Sequence, residues 1–395
     1  MHWLLLLVFL SAVTAPDTAT PVFRNGEGGF PFIRIPSLLR VNATLLLAFA
    51  EARRQRTDHG NVAIGLKSST DNGATWSPMS LVFSEPAVTI GNPTPLYDNA
   101  EIVLFFCRNN LEIHETRSAD GGVSWTKPVP INWSRPPEWA WLAAGPPAAL
   151  VTRSGRWVLP CDGLIGSKQI YKADQVFAFV LLSDDRGATW RQSPLLHGGN
   201  ECQAAELENG AIALNMRSTQ AVRLHSTSHD GGESWSAPAR AVPVVQDANC
   251  QGSMISMQPP LPEDGTPLSV GASGDEQSPP PSPPPAPPPS PPPLLLATSV
   301  GPGRRGLTVR SSSNGGASWT TLTVLETGPA GYSALVDLGG GWAGCLYETR
   351  EVPAAAVGSS RGASVGRARA AQGDDVITFA LVNVSAVEDA ASCLA

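Results

Sequence analysis

The segment Ser69-Thr70-Asp71-Asn72-Gly73-Ala74-Thr75-Trp76 follows an apolar run and has the residues of a tight turn. Gly73 can adopt a positive φ, and the side chains of Ser69 and Asp71 can hydrogen-bond the turn backbone. Trp76 can then pack beneath the turn. The segment therefore predicts a strand, a tight turn and a second strand. We interpret its polar residues as staples of the hairpin, without a direct part in catalysis.

The spacing Ser-x-Asp-x-Gly-x-Ser/Thr-Trp recurs in four later segments, the last with Asn314 at the acidic position. Apolar or alternating runs separate the copies, and no long run has the period of an amphipathic helix. Repetition at these intervals predicts an all-β closed array of repeated units, as in a β-propeller. The later copies are Ser118–Trp125, Ser183–Trp190, Ser228–Trp235 and Ser312–Trp319.

Length and charge limit the class of protein. The chain has 395 residues, of which 42% are hydrophobic and 15% charged, and its formal net charge is −7. All-β propellers of this length form one domain, so the length does not require a second one. Because the acidic balance offers no basic field to a polyanion, we do not expect nucleic acid as a partner.

The first residues have the order of a signal peptide. Residues 4–10 are almost wholly apolar, too short a run to span a bilayer, and small residues follow. We therefore expect a signal peptide at 1–19, no transmembrane segment, and a secretory-pathway protein that is either secreted or lysosomal. Glycosylation sequons at Asn42, Asn132 and Asn383 support this expectation.

A proline-rich insertion interrupts the predicted domain, which spans 20–395. Its bounds are predicted at 259–293, and residues 278–293 are nearly all Pro and Ser. That composition is typical of an extended, solvated polyproline II segment. The insertion falls in the widest interval between motif copies, so we expect it between two repeat units and outside the core.

The cysteines give no sign of a metal site. They are widely scattered, and the chain has no CxxC pair and no HExxH helix, so neither a metal nor a cofactor is predicted. In an oxidising compartment some could pair, but the connectivity stays open. The six positions are Cys107, Cys161, Cys202, Cys250, Cys345 and Cys393.

Outside the repeats, four groups of segments stand out: Phe32-Ile33-Arg34-Ile35-Pro36 with Leu45–Arg53 and Thr57–Gly60; Asn200-Glu201-Cys202-Gln203 with Asn215-Met216-Arg217; Arg304–Arg310; and Gly331-Tyr332-Ser333 with Leu346-Tyr347-Glu348. Their order around the five motif copies resembles the sialidase (neuraminidase) family, most closely the animal lysosomal type, in which the motif is called the Asp box. The resemblance extends through nearly the whole chain. It implies a six-bladed β-propeller with Asp-box hairpins, and an exo-α-sialidase acting on terminal sialic acid of sialylated glycoconjugates.

The resemblance implies a substrate-binding triad of Arg34, Arg217 and Arg304. Sialic acid has a carboxylate on its anomeric carbon, and the planar fork of Arg suits a carboxylate better than the ammonium of Lys. Arg305 is the alternative for the third position, although the R-x-x-L spacing to Leu307 favours Arg304.

The resemblance also implies the catalytic residues. Tyr332 is the expected nucleophile, Glu201 the base that takes its proton, and Asp58 the general acid. A neutral phenol avoids the repulsion between the substrate carboxylate and an Asp or Glu nucleophile, and sialidases with a Tyr nucleophile are an exception to the two-carboxylate scheme. Since a phenol is mostly protonated at working pH, it needs a neighbouring base.

Three further residues receive supporting roles from the resemblance. Glu51 is expected to pair with Arg34 and hold its guanidinium in place. Arg53 is a candidate substrate contact. Glu348 either orients the site or makes only a structural hydrogen bond, and the sequence leaves both open.

Two other functions stay open. A trans-sialidase, which passes the sugar to another sugar, shares every catalytic residue. A non-catalytic Asp-box propeller that binds carbohydrate has no need of both an acid and a Tyr/Glu pair. The presence of Asp58, Glu201 and Tyr332 together favours a hydrolase with a retaining mechanism.

Overall fold

The computed structural model describes residues 19–166, 174–240, 244–257, 293–351 and 374–384. The predicted signal peptide and proline-rich insertion lie outside these residues, apart from the final residue of each. Within the described ranges, no helix is long and apolar enough to cross a membrane. The described secondary structure is β, with one 3-10 turn at Glu27–Gly29.

The first part of the chain forms two four-stranded sheets and one six-stranded sheet. β1 (Thr20–Arg24) precedes these sheets and belongs to a later one. The strands of the three sheets are β2 (Phe32–Arg40), β3 (Leu46–Arg53), β4 (Val62–Ser69), β5 (Ser80–Phe83), β6 (Ile90–Asp98), β7 (Glu101–Arg108), β8 (Glu112–Ser118), β9 (Val129–Pro130), β10 (Trp139–Ala144), β11 (Leu150–Val151), β12 (Trp157–Ile165), β13 (Val176–Ser183), β14 (Arg191–Gln192) and β15 (Leu196–His197). The sheets are β2-β3-β4-β5, β6-β7-β8-β9, and β10-β12-β13-β14 with β11 and β15 added.

The second part forms one four-stranded sheet and one seven-stranded sheet. Its strands are β16 (Gly199–Glu206), β17 (Ile212–Ser218), β18 (Leu224–Ser228), β19 (Ala239–Arg240), β20 (Ser253–Ser256), β21 (Leu294–Gly301), β22 (Arg305–Ser312), β23 (Thr320–Gly339), β24 (Trp342–Glu351) and β25 (Asp374–Asn383). The sheets are β16-β17-β18-β19 and β1-β25-β24-β23-β22-β21-β20.

Contacts between sheets close a ring. β2 contacts β6, β6 contacts β10, β12 contacts β16, β16 contacts β20, and β23 contacts both β20 and β2. The predicted all-β, propeller-like arrangement is therefore confirmed. A count of six blades requires the seven-stranded sheet to be divided into two units, and the blade number stays a prediction.

Strand β23 connects those two units. Its first half pairs with β22, up to the Arg305–Pro329 pair, and its second half pairs with β24 from Ala330 onward. At the far edge, β1 pairs antiparallel with β25. The first and last described strands thus lie side by side, and the backbone hydrogen bonds between them help to close the ring.

Each motif copy forms a turn between two strands, as the sequence predicts, and these are the third and fourth strands of its unit. In the first copy, the Ser69 hydroxyl donates to Oδ1 of Asp71 at 2.8 Å and accepts from the Gly73 amide at 2.8 Å. The Thr75 amide donates to Oδ1 of Asp71 at 2.9 Å. Gly73 has φ +87, a conformation that favours glycine. These bonds support the interpretation of the Asp box as a hairpin staple.

The tryptophans of three motif copies join each unit to the preceding one. Each packs edge-on against a phenylalanine of the neighbouring sheet, a favourable geometry for aromatic pairs. The pairs are Trp76 with Phe379 at 5.7 Å, Trp125 with Phe49 at 6.1 Å, and Trp190 with Phe105 at 5.6 Å between ring centroids. The Asp box therefore stabilises both its own hairpin and the interface between sheets.

The proline-rich insertion connects two adjacent strands of one sheet. Its flanking strands β20 and β21 pair directly, from Ser253 opposite Ala297 to Ser256 opposite Leu294. The expectation that it lies between two repeat units is therefore wrong. The motif spacing misled the prediction because the insertion falls between two adjacent strands of one unit.

Five of the cysteines lie in the described part of the chain, and all five are buried and unpaired: Cys107, Cys161, Cys202, Cys250 and Cys345. The sixth, Cys393, falls outside it.

Candidate active site

Irregular strand pairing brings the predicted site residues to one end of the ring. The β2–β3 register shifts between Arg34 and Ser37, and the β16–β17 register shifts between Gly199 and Cys202. The β23–β24 register shifts in the same way around Tyr332. Such bulges re-aim side chains and are common beside active sites.

Tyr332 and Glu201 form the centre of the site. The phenolic hydroxyl donates a hydrogen bond to Oε1 of Glu201 at 2.6 Å. The other carboxylate oxygen accepts from Nη1 of Arg217 at 2.7 Å. Tyr332 is only 7% exposed and Glu201 9%. Arg217 therefore fixes the carboxylate in a position where it can take the phenolic proton.

Burial sets the protonation state of the phenol. It raises the pKa of Tyr332 well above its usual range, and the charge of Glu201 raises it further, whereas Arg217 and Arg34 lower it. The isolated phenolate is thus unfavourable here. The proton can leave readily only to an acceptor in contact with it.

Arg34 pairs with Glu348, so the expected Glu51–Arg34 pair is wrong. Nε and Nη2 of Arg34 donate to the two carboxylate oxygens of Glu348, each at 3.1 Å. Arg34 and Glu51 are cross-strand neighbours in the β2–β3 ladder. However, a bulge follows Arg34, with Ile35 at φ +56. The guanidinium of Arg34 reaches Glu348 on β24 instead of Glu51.

Glu348 also hydrogen-bonds two backbone amides beside the site. Its Oε1 accepts from the Ile35 amide at 2.9 Å, and its Oε2 accepts from the Tyr332 amide at 3.2 Å. Burial raises the pKa of Glu348, but the charge and hydrogen bonds of Arg34, together with the amides of Ile35 and Tyr332, outweigh burial and leave the pKa lowered. This ionised carboxylate therefore contacts both Arg34 and the backbone of Tyr332.

Glu51 instead holds Arg53, which in turn holds Asp58. Nε of Arg53 donates to Oε2 of Glu51 at 2.7 Å, and Nη1 of Arg53 donates to Oδ1 of Asp58 at 2.9 Å. The Arg53 side chain is 2% exposed, whereas that of Asp58 is 65% exposed. Arg53 is thus placed to steady Asp58 at the mouth of the site, and its predicted substrate contact stays untested.

Arg304 faces the site, and Arg305 is exposed on β22. The guanidinium carbons of Arg34 and Arg304 each lie 5.3 Å from the centroid of the Tyr332 ring. Arg304 has φ +60, a conformation unusual for a bulky residue. The side-chain direction agrees with the R-x-x-L spacing that favours Arg304.

Two neighbouring cavities contain these groups. One of about 410 Å³ is lined by Asp58, Glu201, Arg217 and Tyr332, among others. A smaller one of about 210 Å³ is lined by Arg34, Arg304 and Glu348, among others. The larger volume lies within the range of small-molecule sites, and cationic groups meet at its edge.

Asp162 is a buried acid in the same cavity wall that the sequence analysis overlooked. Nδ2 of Asn200 donates to its Oδ2 at 3.0 Å, and its Oδ1 has no hydrogen-bond partner among the described residues. Burial raises the pKa of Asp162 well above its usual range, Glu201 adds to the shift, and Arg217 opposes it. The single Asp within the apolar strand β12 was the available sequence signal.

Asn249 was also overlooked. Its Oδ1 accepts from Nε of Arg217 at 2.9 Å, and its carbonyl oxygen accepts from Nη2 of Arg304 at 3.3 Å. No spacing or repeat in the sequence marks it, because both partners come from distant parts of the chain.

A family model described as BNR repeat-like domain matches residues 44–345. The chain belongs to this family. Among curated relatives, the exo-alpha-sialidase of Aspergillus fumigatus is 28% identical over 270 residues, covering 58% of this chain and 61% of the relative. Sialidase-3 of Homo sapiens is 27% identical over 389 residues, covering 86% of this chain and 90% of the relative.

A solved structure has a similar fold. The Hadza microbial sialidase Hz136 superposes with a TM-score of 0.70 at 23% identity, covering 93% of this chain and 69% of that structure. The resemblance to the sialidase family is therefore confirmed. The chain spans 61% of the length of the first fungal and bacterial relatives that it matches.

Proposed function

We propose that this protein is an exo-α-sialidase that hydrolyses terminal sialic acid with retention of configuration. The observation that carries the proposal is the 2.6 Å hydrogen bond from Tyr332 to Glu201. A phenol beside a carboxylate base suits a substrate whose own carboxylate repels an acidic nucleophile. The relatives named as sialidases support the same reaction.

Arg34, Arg217 and Arg304 are proposed to bind the substrate carboxylate. Two of their guanidinium carbons lie 5.3 Å from the Tyr332 ring centroid, so a carboxylate held by them brings its neighbouring anomeric carbon close to the phenol. Charge-assisted, forked hydrogen bonds fix both position and orientation. Binding energy is thereby used to align the attack.

In the first step, the Tyr332 oxygen attacks the anomeric carbon while its proton passes to Glu201. The bond from that carbon to the leaving oxygen breaks, and Asp58 donates a proton to the oxygen. In the second step, water gives a proton to Asp58 and attacks the anomeric carbon. The Tyr332 oxygen leaves and regains its proton from Glu201. Two displacements at one carbon give net retention.

The test uses a fluorogenic α-sialoside across pH, with the first-formed sugar identified by NMR. We expect hydrolysis that releases the α-anomer first, is unchanged by EDTA and is fastest in acid, because a general acid must protonate the leaving oxygen. A peak above about pH 8, or an inverted product, contradicts the mechanism. Binding without turnover would indicate a carbohydrate-binding propeller, and transfer of the sugar to added lactose would indicate a trans-sialidase.

We further propose sialylated glycoconjugates of the secretory pathway as substrates, with the protein either secreted or lysosomal. Asn42 and Asn132, in two of the predicted sequons, are exposed, as glycosylation requires. A mobility shift on treatment with an N-glycosidase checks entry into this pathway. Absence of glycan from both sites, in protein from its native source, counts against it.

A further inference from the structure

Asn249 joins two of the proposed substrate-binding arginines. Arg217 lies on β17, and Arg304 lies in the turn between β21 and β22. The side chain of Asn249 accepts from Arg217 at 2.9 Å, and its backbone carbonyl accepts from Arg304 at 3.3 Å. One exposed residue therefore links two cations that come from different sheets.

The loop that carries Asn249 is fixed from within. Nη1 of the buried Arg223 donates to Oδ2 of Asp247 at 3.0 Å and to the Cys250 carbonyl at 2.9 Å. The Cys250 amide donates to Oδ1 of Asp247 at 3.0 Å. Arg223 and Asp247 have side chains only 1% exposed. Both flanks of Asn249 are thus held in place, although its own side chain faces solvent.

The backbone conformation restricts which residues fit this position. Asn249 has φ +54. Asn, Asp and Gly adopt this left-handed region at low cost, and most other residues do not. Among these three, Asn alone supplies a side-chain acceptor without adding a charge. Gly lacks the acceptor, and Asp would bring an anion next to the arginines.

We propose that Asn249 is a positioning residue that sets the relative placement of Arg217 and Arg304 for one shared carboxylate; the proposal rests on the proposed function. A free Arg side chain has many rotamers, and a preset geometry removes part of the entropy cost of fixing it before the ligand arrives. A neutral acceptor leaves the charge of both guanidinium groups available to an anion. The acceptor groups of Asn249 also occupy only some of the N–H donors of the two arginines.

The variant Asn249→Gly tests the side chain alone, because Gly accepts the φ and keeps the carbonyl that faces Arg304. We expect KM for an α-sialoside, and Kd for free sialic acid, to rise by about 10-fold, the effect of losing one charge-assisted hydrogen bond. We expect kcat and the melting temperature to change little. Asn99→Gly is the matched control, since Asn99 is exposed with φ +47 in the β6–β7 turn.

The variant Asn249→Asp separates geometry from charge. It keeps the acceptor for Arg217 but places a negative charge beside the bound carboxylate. KM should therefore rise while Arg217 stays fixed. Added salt should reduce the increase, because screening weakens the repulsion between exposed charges.

A measurement without substrate tests the role of Asn249 separately from the proposed sialidase function. Hydrogen exchange at the Arg217 Nε–H, followed in ¹⁵N-arginine-labelled protein and assigned with Arg217→Lys, should be faster in Asn249→Gly by about 10-fold. It should be unchanged in Asn249→Asp and Asn99→Gly. Faster exchange without sialoside turnover by wild type supports the role of Asn249 and contradicts the proposed function. Unchanged exchange, or an unchanged KM in an active Asn249→Gly protein, overturns the inference.

Discussion

The hydroxyl of Tyr332 donates a 2.6 Å hydrogen bond to Glu201, although 131 positions separate the two residues in the sequence. Burial and the charge of Glu201 raise the pKa of Tyr332 well above its usual range. The phenol therefore keeps its proton until Glu201 accepts it during attack. Two residues that share one proton transfer are expected to behave as a unit.

Removal of either member of this pair should remove most of the turnover. Tyr332→Phe keeps the ring but deletes the nucleophile, so kcat should fall by about 10³-fold or more. The double variant with Glu201→Gln should cost little more than the worse single variant, because both act in one step. Steady-state kinetics on an activated α-sialoside measure kcat, and calorimetry with sialic acid checks that binding survives.

The same pair predicts the site of covalent trapping. A fluorinated sialosyl fluoride should leave an adduct on Tyr332 of the wild-type protein, visible in peptide mass spectra. The Tyr332→Phe protein is the control and should remain unlabelled. An adduct on Glu201 or Asp58 would replace the tyrosine mechanism with a two-carboxylate one.

The arginine assignment predicts unequal effects at adjacent positions. Arg304→Lys should raise KM by about 10-fold or more, because an ammonium cannot reproduce the forked hydrogen bonds to a carboxylate. Arg305→Lys is the matched control and should leave KM nearly unchanged, since Arg305 is exposed on β22. A KM that responds to Arg305→Lys and not to Arg304→Lys would reverse the assignment.

Asp162 predicts a loss of stability as the pH rises. Burial raises its pKa well above the usual range. Between the unfolded-state pKa, about 3.9, and the raised folded-state pKa, the folded protein binds more protons than the unfolded chain. The stabilisation by protonated Asp162 is therefore complete below about pH 3.9. Above that pH, it declines by up to about 1.4 kcal/mol per pH unit.

Asp162→Asn removes this titration. The variant should therefore gain stability relative to wild type as the pH rises from about 4 to 7. Urea unfolding at a series of pH values measures the difference. If the unfolding free energies of wild type and variant differ by the same amount at every pH in this range, Asp162 is ionised in the folded protein. That outcome contradicts the prediction.

The Asp boxes predict the opposite dependence. The hydroxyl and amide of Thr75, with the Ser69 hydroxyl, lower the pKa of Asp71 to about 2. The resulting stabilisation is complete above the unfolded-state value of about 3.9 and is lost as the pH falls toward about 2. Asp71→Asn should therefore lower the melting temperature at pH 7 and approach wild type near pH 2. Calorimetry across that range checks the convergence, and a gap of equal size at every pH contradicts it.

The repeated turn was predictable because its hydrogen bonds are local. The side-chain hydrogen bonds of the first Asp box join residues within four positions, such as the Thr75 amide and Asp71. Side-chain acceptors at fixed offsets from a glycine determine such a turn wherever it occurs. The fifth copy shows the same logic with Asn314, whose Nδ2 donates to the Ser318 hydroxyl at 2.8 Å.

The sequence by itself determined the strand and turn pattern, the family, and the residues proposed to act, because local hydrogen bonds and motif order suffice for these. Only the tertiary structure decided the partners of the charged groups. Arg34 reaches Glu348 across 314 positions, and Asn249 joins Arg217 and Arg304 from two other parts of the chain. The physical reason is that ion pairs and burial depend on distance in space, and ring closure brings groups together whose sequence neighbours give no sign of the contact.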